Sequence, residues 1–147
     1  MVRLSTGLAL SLLGLYGLRA MMNYGHIKVY TGEQPLSPDM PPEGEQVAYI
    51  TTDGLAFAVG SSSGGALEVV QDSAGVIQSG GTWQLTGIDT GTAGWWRWYW
   101  NAYDGEDHSF FYPRMDGLVG ESLVLANVNI TAASYVEINA FNVQFRG

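Results

Sequence analysis

The heptapeptide GWWRWYW, residues 94–100, decides how this chain is read. Its tryptophans and tyrosine surround a single arginine. In a β-strand, successive side chains point to opposite faces. Trp96, Trp98 and Trp100 then line one face, and Trp95, Arg97 and Tyr99 line the other. A strand aromatic on both faces is either covered on both or offers one to a partner. An exposed row of three tryptophans would invite aggregation, so at least one face packs between sheets. The mixed Trp95–Arg97–Tyr99 face is the better candidate for a contact with another subunit, because aromatic residues and arginine are enriched at interfaces.

Outward from this stretch the period stays at two. HIKVY (26–30) alternates, with Ile27 and Val29 inward and His26, Lys28 and Tyr30 outward. VAYIT (47–51) and LAFAV (55–59) flank Asp53-Gly54, a dipeptide that favours a hairpin turn. LEVVQ (67–71), GVIQS (75–79), TWQLTGI (82–88), SLVLANVNIT (122–131) and YVEINAFNVQF (135–145) continue the pattern, and FFYPRM (110–115) carries Pro113, which suits an edge or a bulge. The proline-rich stretch TGEQPLSPDMPPEGEQ (31–46) reads as a surface loop. Short strands at this spacing predict a mainly β domain, an antiparallel sandwich or jelly roll.

The N-terminal segment differs. MVRLSTGLALSLLGLYGLRAMMNYG holds an apolar run from Leu8 to Leu18, too short for a bilayer span of about 20 residues. Leu18 stands where a signal-peptide cleavage after Ala20 would want a small residue. The segment is therefore expected to be a helix capped by Ser5 or Thr6 and ended near Gly25. It is apolar nearly all round, so something must cover every side. The chain divides on this reading into a helical arm, 1–24, and a β domain, 25–147. Arg3, Leu8, Leu12, Leu15 and Arg19 of the arm join Trp95, Arg97 and Tyr99 as candidate partner-contact residues.

Composition narrows the function. The 147 residues carry a net charge of −8, and all fourteen acids lie from Glu33 onward, whereas the first thirty-two residues hold only the basic Arg3, Arg19 and Lys28. An acidic surface argues against binding a phosphate backbone. There is no cysteine, hence no disulfide or thiolate chemistry. GSSSGG (60–65) lacks the Lys-Ser/Thr ending of a phosphate loop. Asp104, Glu106, Asp107 and His108 are the best metal candidates, but they lack calcium-loop spacing. No nucleophile motif stands near His26 or His108. Glu68 and Glu137 are the acids placed clearly within strands, where a glycosidase pair would be sought. No enzyme activity, metal or cofactor is expected. A carbohydrate platform on the aromatic strand stays open.

The pieces VRLSTGL (2–8), HIKVYTGEQPLSPD (26–39), GTAGWWRWY (91–99) and RMDGLVGESLVLANVNITAASYVEINAFNVQF (114–145) together resemble a family of small structural proteins of tailed bacteriophages. The chain departs from that family's pattern at GESLVLAN, which replaces a small-residue turn, and in the aromatic density of 94–100. The resemblance implies a virion protein without catalysis. The leading expectation is a head decoration, or cement, protein on the outer head surface, bound to the major capsid protein and to its own copies as dimers or trimers, with no nucleic-acid or membrane partner. The alternative is a tail, baseplate or fibre-associated module that contacts host surface glycans.

Overall fold

The computed structural model describes residues 1–13, 17–71, 76–79, 82–102 and 105–144. It is mainly β, with two short helices near the N-terminus. In chain order the elements are β1 (Arg3–Leu4), α1 (Thr6–Leu13), α2 (Leu18–Met22), β2 (His26–Tyr30), β3 (Gln46–Thr52), β4 (Val69–Gln71) and β5 (Val76–Ser79). They continue with β6 (Trp83–Gly87), β7 (Gly91–Thr92), β8 (Trp95–Tyr99), β9 (Arg114–Leu118), β10 (Leu123–Leu125), β11 (Asn129–Ile130), β12 (Tyr135–Val136), β13 (Ile138–Phe141) and β14 (Val143–Gln144). Seven strands form one antiparallel sheet in the order β1-β9-β8-β2-β3-β6-β12, with the aromatic strand β8 inside it. The pairs β10-β13 and β7-β11 and the triple β14-β5-β4 make smaller antiparallel sheets.

The register sorts the side chains. Leu4, Met115, Trp98, Ile27, Ile50, Leu85 and Val136 stand side by side across the main sheet. This is the apolar face. Trp96, Trp98, Ile27, Val29 and Ile50 are fully buried there. Phe141 of β13 meets Trp96, Trp98 and Trp83 with ring centroids 5.1–5.7 Å apart, so β13 brings a second layer onto the face. Leu67, Val69, Leu123 and Val143 complete the same core cluster. The result is a sandwich-like packing of the main sheet against the small ones. The alternation expected for 95–99 holds, with Trp96 and Trp98 inside; Trp100 lies past the strand end, half-buried near Tyr112.

Two expectations are corrected by the chain path. The Asp53-Gly54 turn forms, with positive φ at both residues (53° and 69°) and Leu55 N–H donating to Thr52 carbonyl at 3.0 Å. Residues 55–59, however, form no strand; β3 pairs instead with β6. The turn fixes the reversal but cannot choose the partner, which the buried Ile50–Leu85 pair supplies.

The N-terminal segment is not a separate arm. β1 is an edge strand of the main sheet, and Leu8, Leu18 and Met22 are buried in the common core. Ser5 caps α1, its Oγ accepting from Leu8 N–H at 3.1 Å, as the sequence leads one to expect. The same Oγ accepts from Arg114 N–H at 2.8 Å and donates to Tyr112 carbonyl at 2.9 Å, which joins the helix start to β9. Leu8 therefore faces its own domain, not a partner.

Candidate interaction surface

The second face of the main sheet carries Arg3, Asp116, Arg97, Lys28, Tyr49, Thr86 and Tyr135 side by side. Charges lie at its centre. Arg97 is fully buried and grips the equally buried Asp116 through Nε at 2.7 Å and one terminal nitrogen at 2.9 Å. Burial pushes the Asp116 carboxyl above its ordinary value, and the guanidinium bonds offset part of that rise. Burial also works against the charge of Arg97, but Asp116 holds its pKa above the ordinary value. A charge pair this dry is tolerable only with its hydrogen bonds complete.

The remaining donors are met by the chain itself. Arg97 donates to Met40 carbonyl at 2.8 Å, Arg3 to Pro35 carbonyl, and Arg114 to the carbonyls of Pro38 (3.4 Å), Asp107 (2.8 Å) and Gly105 (2.8 Å). Trp95 Nε1 donates to the carbonyls of Thr31 and Glu43, each at 3.2 Å. Residues 31–45 and 105–112 thus form a cover over the charged face. The chemistry follows from sequence: Pro35, Pro38, Pro41 and Pro42 remove amide donors from the loop, while its carbonyls still need partners. Guanidinium and indole groups from the sheet supply them.

A second network closes the cover beside the first. Tyr30 donates its hydroxyl to Glu106 Oε1 at 2.7 Å and lies 2.7 Å from the Tyr99 hydroxyl; Lys28 Nζ reaches the same carboxylate oxygen at 3.1 Å. Burial opposes the charge of Glu106, but Tyr30 and Lys28 hold its pKa below the ordinary carboxylate value. Burial pushes the Tyr99 hydroxyl up to about 12 and Tyr30 higher still, so both remain neutral donors at physiological pH. His26 stacks on Phe57 with centroids 3.9 Å apart and, through burial and then the charge of Lys28, is pushed down to about 3.

What the cover shows to the outside is apolar. Phe111 is 85% and Leu36 84% exposed, and Phe110, Met40 and Leu10 are exposed as well. These residues lie on neighbouring segments. Ser109 N–H donates to Asp39 carbonyl at 2.9 Å, and Thr6 N–H donates to Asp39 Oδ1 at 2.7 Å. Gly7 rests directly on Phe111, where an added Cβ would come within 2.2 Å of the carbonyl oxygen. Exposed Glu33, Glu43, Glu45, Glu106 and Asp107 belong to the same two loops and set an acidic margin.

The expected contact residues are therefore redistributed. Trp95, Arg97 and Tyr99 are fully buried within the chain, which corrects their reading as a face free for another subunit. The same closure removes the aromatic strand as a sugar platform. Arg3 and Leu12 are half-buried, Arg19 is exposed on α2, and Leu15 lies outside the described residues. Of the acidic hairpin, Asp104 lies outside the described residues, Glu106 holds Tyr30 and Lys28, Asp107 stands 3.9 Å from Arg114, and His108 packs edge-on against Phe110. Among the described residues no three His, Asp or Glu side chains gather as metal ligands. Leu36, Met40, Phe110 and Phe111 escaped sequence reasoning; the signal was there, as apolar residues inside loops otherwise made of Pro, Gly and acids. No family model, curated protein or solved structure matches this chain.

Proposed function

We propose that this chain is a structural protein of a tailed-phage particle, a head decoration protein that docks on the major capsid shell through the cover. The observation that carries the reading is the pairing of a fixed scaffold with an outward apolar patch: three arginines hold the loops from below while Phe110, Phe111 and Leu36 stand out above. A patch of this kind on a preorganised loop suits docking, because little ordering cost remains at the moment of contact. The sequence resemblance supports the virion class. The acidic margin favours a basic counter-surface over a second copy of the chain meeting patch to patch. Contacts between copies, as dimers or trimers, belong on this reading to the assembled shell. No catalytic step is assigned.

The same patch would also serve a tail or baseplate location, and copy number separates the two. Gel densitometry of purified particles against the major capsid band is the test. A ratio near that of the capsid protein, or a fixed large fraction of it, supports the head. A ratio matching a few copies in multiples of three or six moves the protein to the tail. Absence from particles overturns the virion reading.

A further inference from the structure

The segment Leu55-Ala56-Phe57-Ala58-Val59 has a strand-like sequence, yet among the described residues it belongs to no sheet. It is held in place all the same. Leu55 N–H donates to Thr52 carbonyl at 3.0 Å, Gly65 N–H to Ala56 carbonyl at 3.2 Å and Gly60 N–H to Asn101 carbonyl at 2.9 Å. Phe57 is half-buried through its stacking on buried His26. The other four side chains are exposed, Leu55 and Val59 to 51% and 53%. Among the described residues, the N–H groups of residues 56–59 find no acceptor in the chain. A fixed, exposed, apolar stretch with open main-chain donors is a template for strand addition.

We propose that this segment pairs with the same segment of a second copy of the chain, antiparallel, across a two-fold axis near Phe57. Two observations choose that occupant over an unrelated peptide. The first is that the segment is close to a palindrome: in either direction it reads large, Ala, Phe, Ala, large. Antiparallel pairing centred on Phe57 sets Leu55 opposite Val59 of the second copy and Ala56 opposite Ala58 of the second copy. A two-fold contact uses one patch on both molecules, so the patch must complement itself, and this one does. The second observation is charge. Each chain carries a net charge of −8, but residues 54–67 hold no charged residue, so contact there sets no like charges face to face. Five paired residues bury little area, which places the dissociation constant on the order of 0.1–1 mM. Copies anchored side by side reach effective concentrations of about 1 mM, enough to populate such a contact. The inference does not rest on the docking reading, since the segment shares no residue with the cover.

The test uses the purified full chain, followed by sedimentation velocity and amide NMR from about 0.02 to about 2 mM. The expected result is a reversible monomer–dimer equilibrium whose concentration-dependent amide shifts centre on residues 55–60. Salt should tighten the dimer, because it screens the repulsion between two acidic bodies. Ala58→Glu, at an exposed position, should weaken it by about tenfold by placing a charge in the apolar pairing. The variant Phe110→Ser, Phe111→Ser should dimerise as the parent does. A chain that stays monomeric throughout overturns the proposal. So does a trimer or larger ring, a dimer whose shifts map elsewhere, a dimer that salt weakens, one indifferent to Ala58→Glu, or one abolished by the changes at Phe110 and Phe111.

Discussion

Arg97 shows how much one buried side chain organises. It joins β8 to β9 through Asp116 and the sheet to its cover through Met40. Arg97→Ala should cost about 3–5 kcal/mol of stability, because Asp116 would be left in a dry site without its partner. The double change Arg97→Met with Asp116→Leu should recover much of that loss, since an apolar pair replaces an ion pair at little net cost. Urea unfolding of the two variants checks both statements. His26 gives a pH dependence. Its folded pKa lies near 3, below the ordinary value of 6.5, so the unfolded chain binds a proton that the folded chain refuses. Stability is then full above about pH 6.5 and falls as pH drops toward 3, by about 1.4 kcal/mol per unit from this group. His26→Phe should flatten the difference between pH 7 and pH 5; an unchanged pH slope would contradict the account. The alternation of 95–99 was legible in sequence because period two fixes faces. The occupant of the arginine face was not, because complementarity between Arg97 and Asp116 spans two strands joined by a long excursion.

Among elements, the N-terminal pieces carry the largest surprise. An apolar helix shows that it must be covered and leaves open what covers it. Here the cover is the protein's own core, since Leu8 and Met22 are fully buried and β1 extends the main sheet. Deleting residues 1–20 should therefore yield an unfolded or aggregated chain, read by circular dichroism, whereas a division into an independent arm and β domain would leave the β domain folded. Ser5→Ala is the gentle version. It removes the helix cap and two bonds to the 112–114 segment and should cost about 1–3 kcal/mol. A melting temperature equal to that of the parent would show that the helix start is not anchored there. The Asp53-Gly54 turn illustrates the same limit, because turn chemistry is local while strand pairing depends on burial at a distance.

For the whole molecule, the fold class was legible from glycine-rich, low-charge composition and strand spacing. The outer surface was not, because which groups turn inward depends on the register of seven strands. Arg3, Lys28, Arg97 and Arg114, four of the six basic residues, face the cover, which leaves the exterior acidic and its loop tips apolar. On the proposed reading the aromatic strand builds the scaffold and the cover makes the contact with the capsid. Its most direct measurement is the occupancy of a Phe110→Ser, Phe111→Ser variant on particles lacking the native protein, read against the capsid band, with the variant's melting temperature measured alongside. Both side chains are exposed, so the variant should melt within a few degrees of the parent, about the shift expected for a change under 1 kcal/mol. Near-complete loss of occupancy from a protein that remains folded is the expected result. Full occupancy by the folded variant would contradict it.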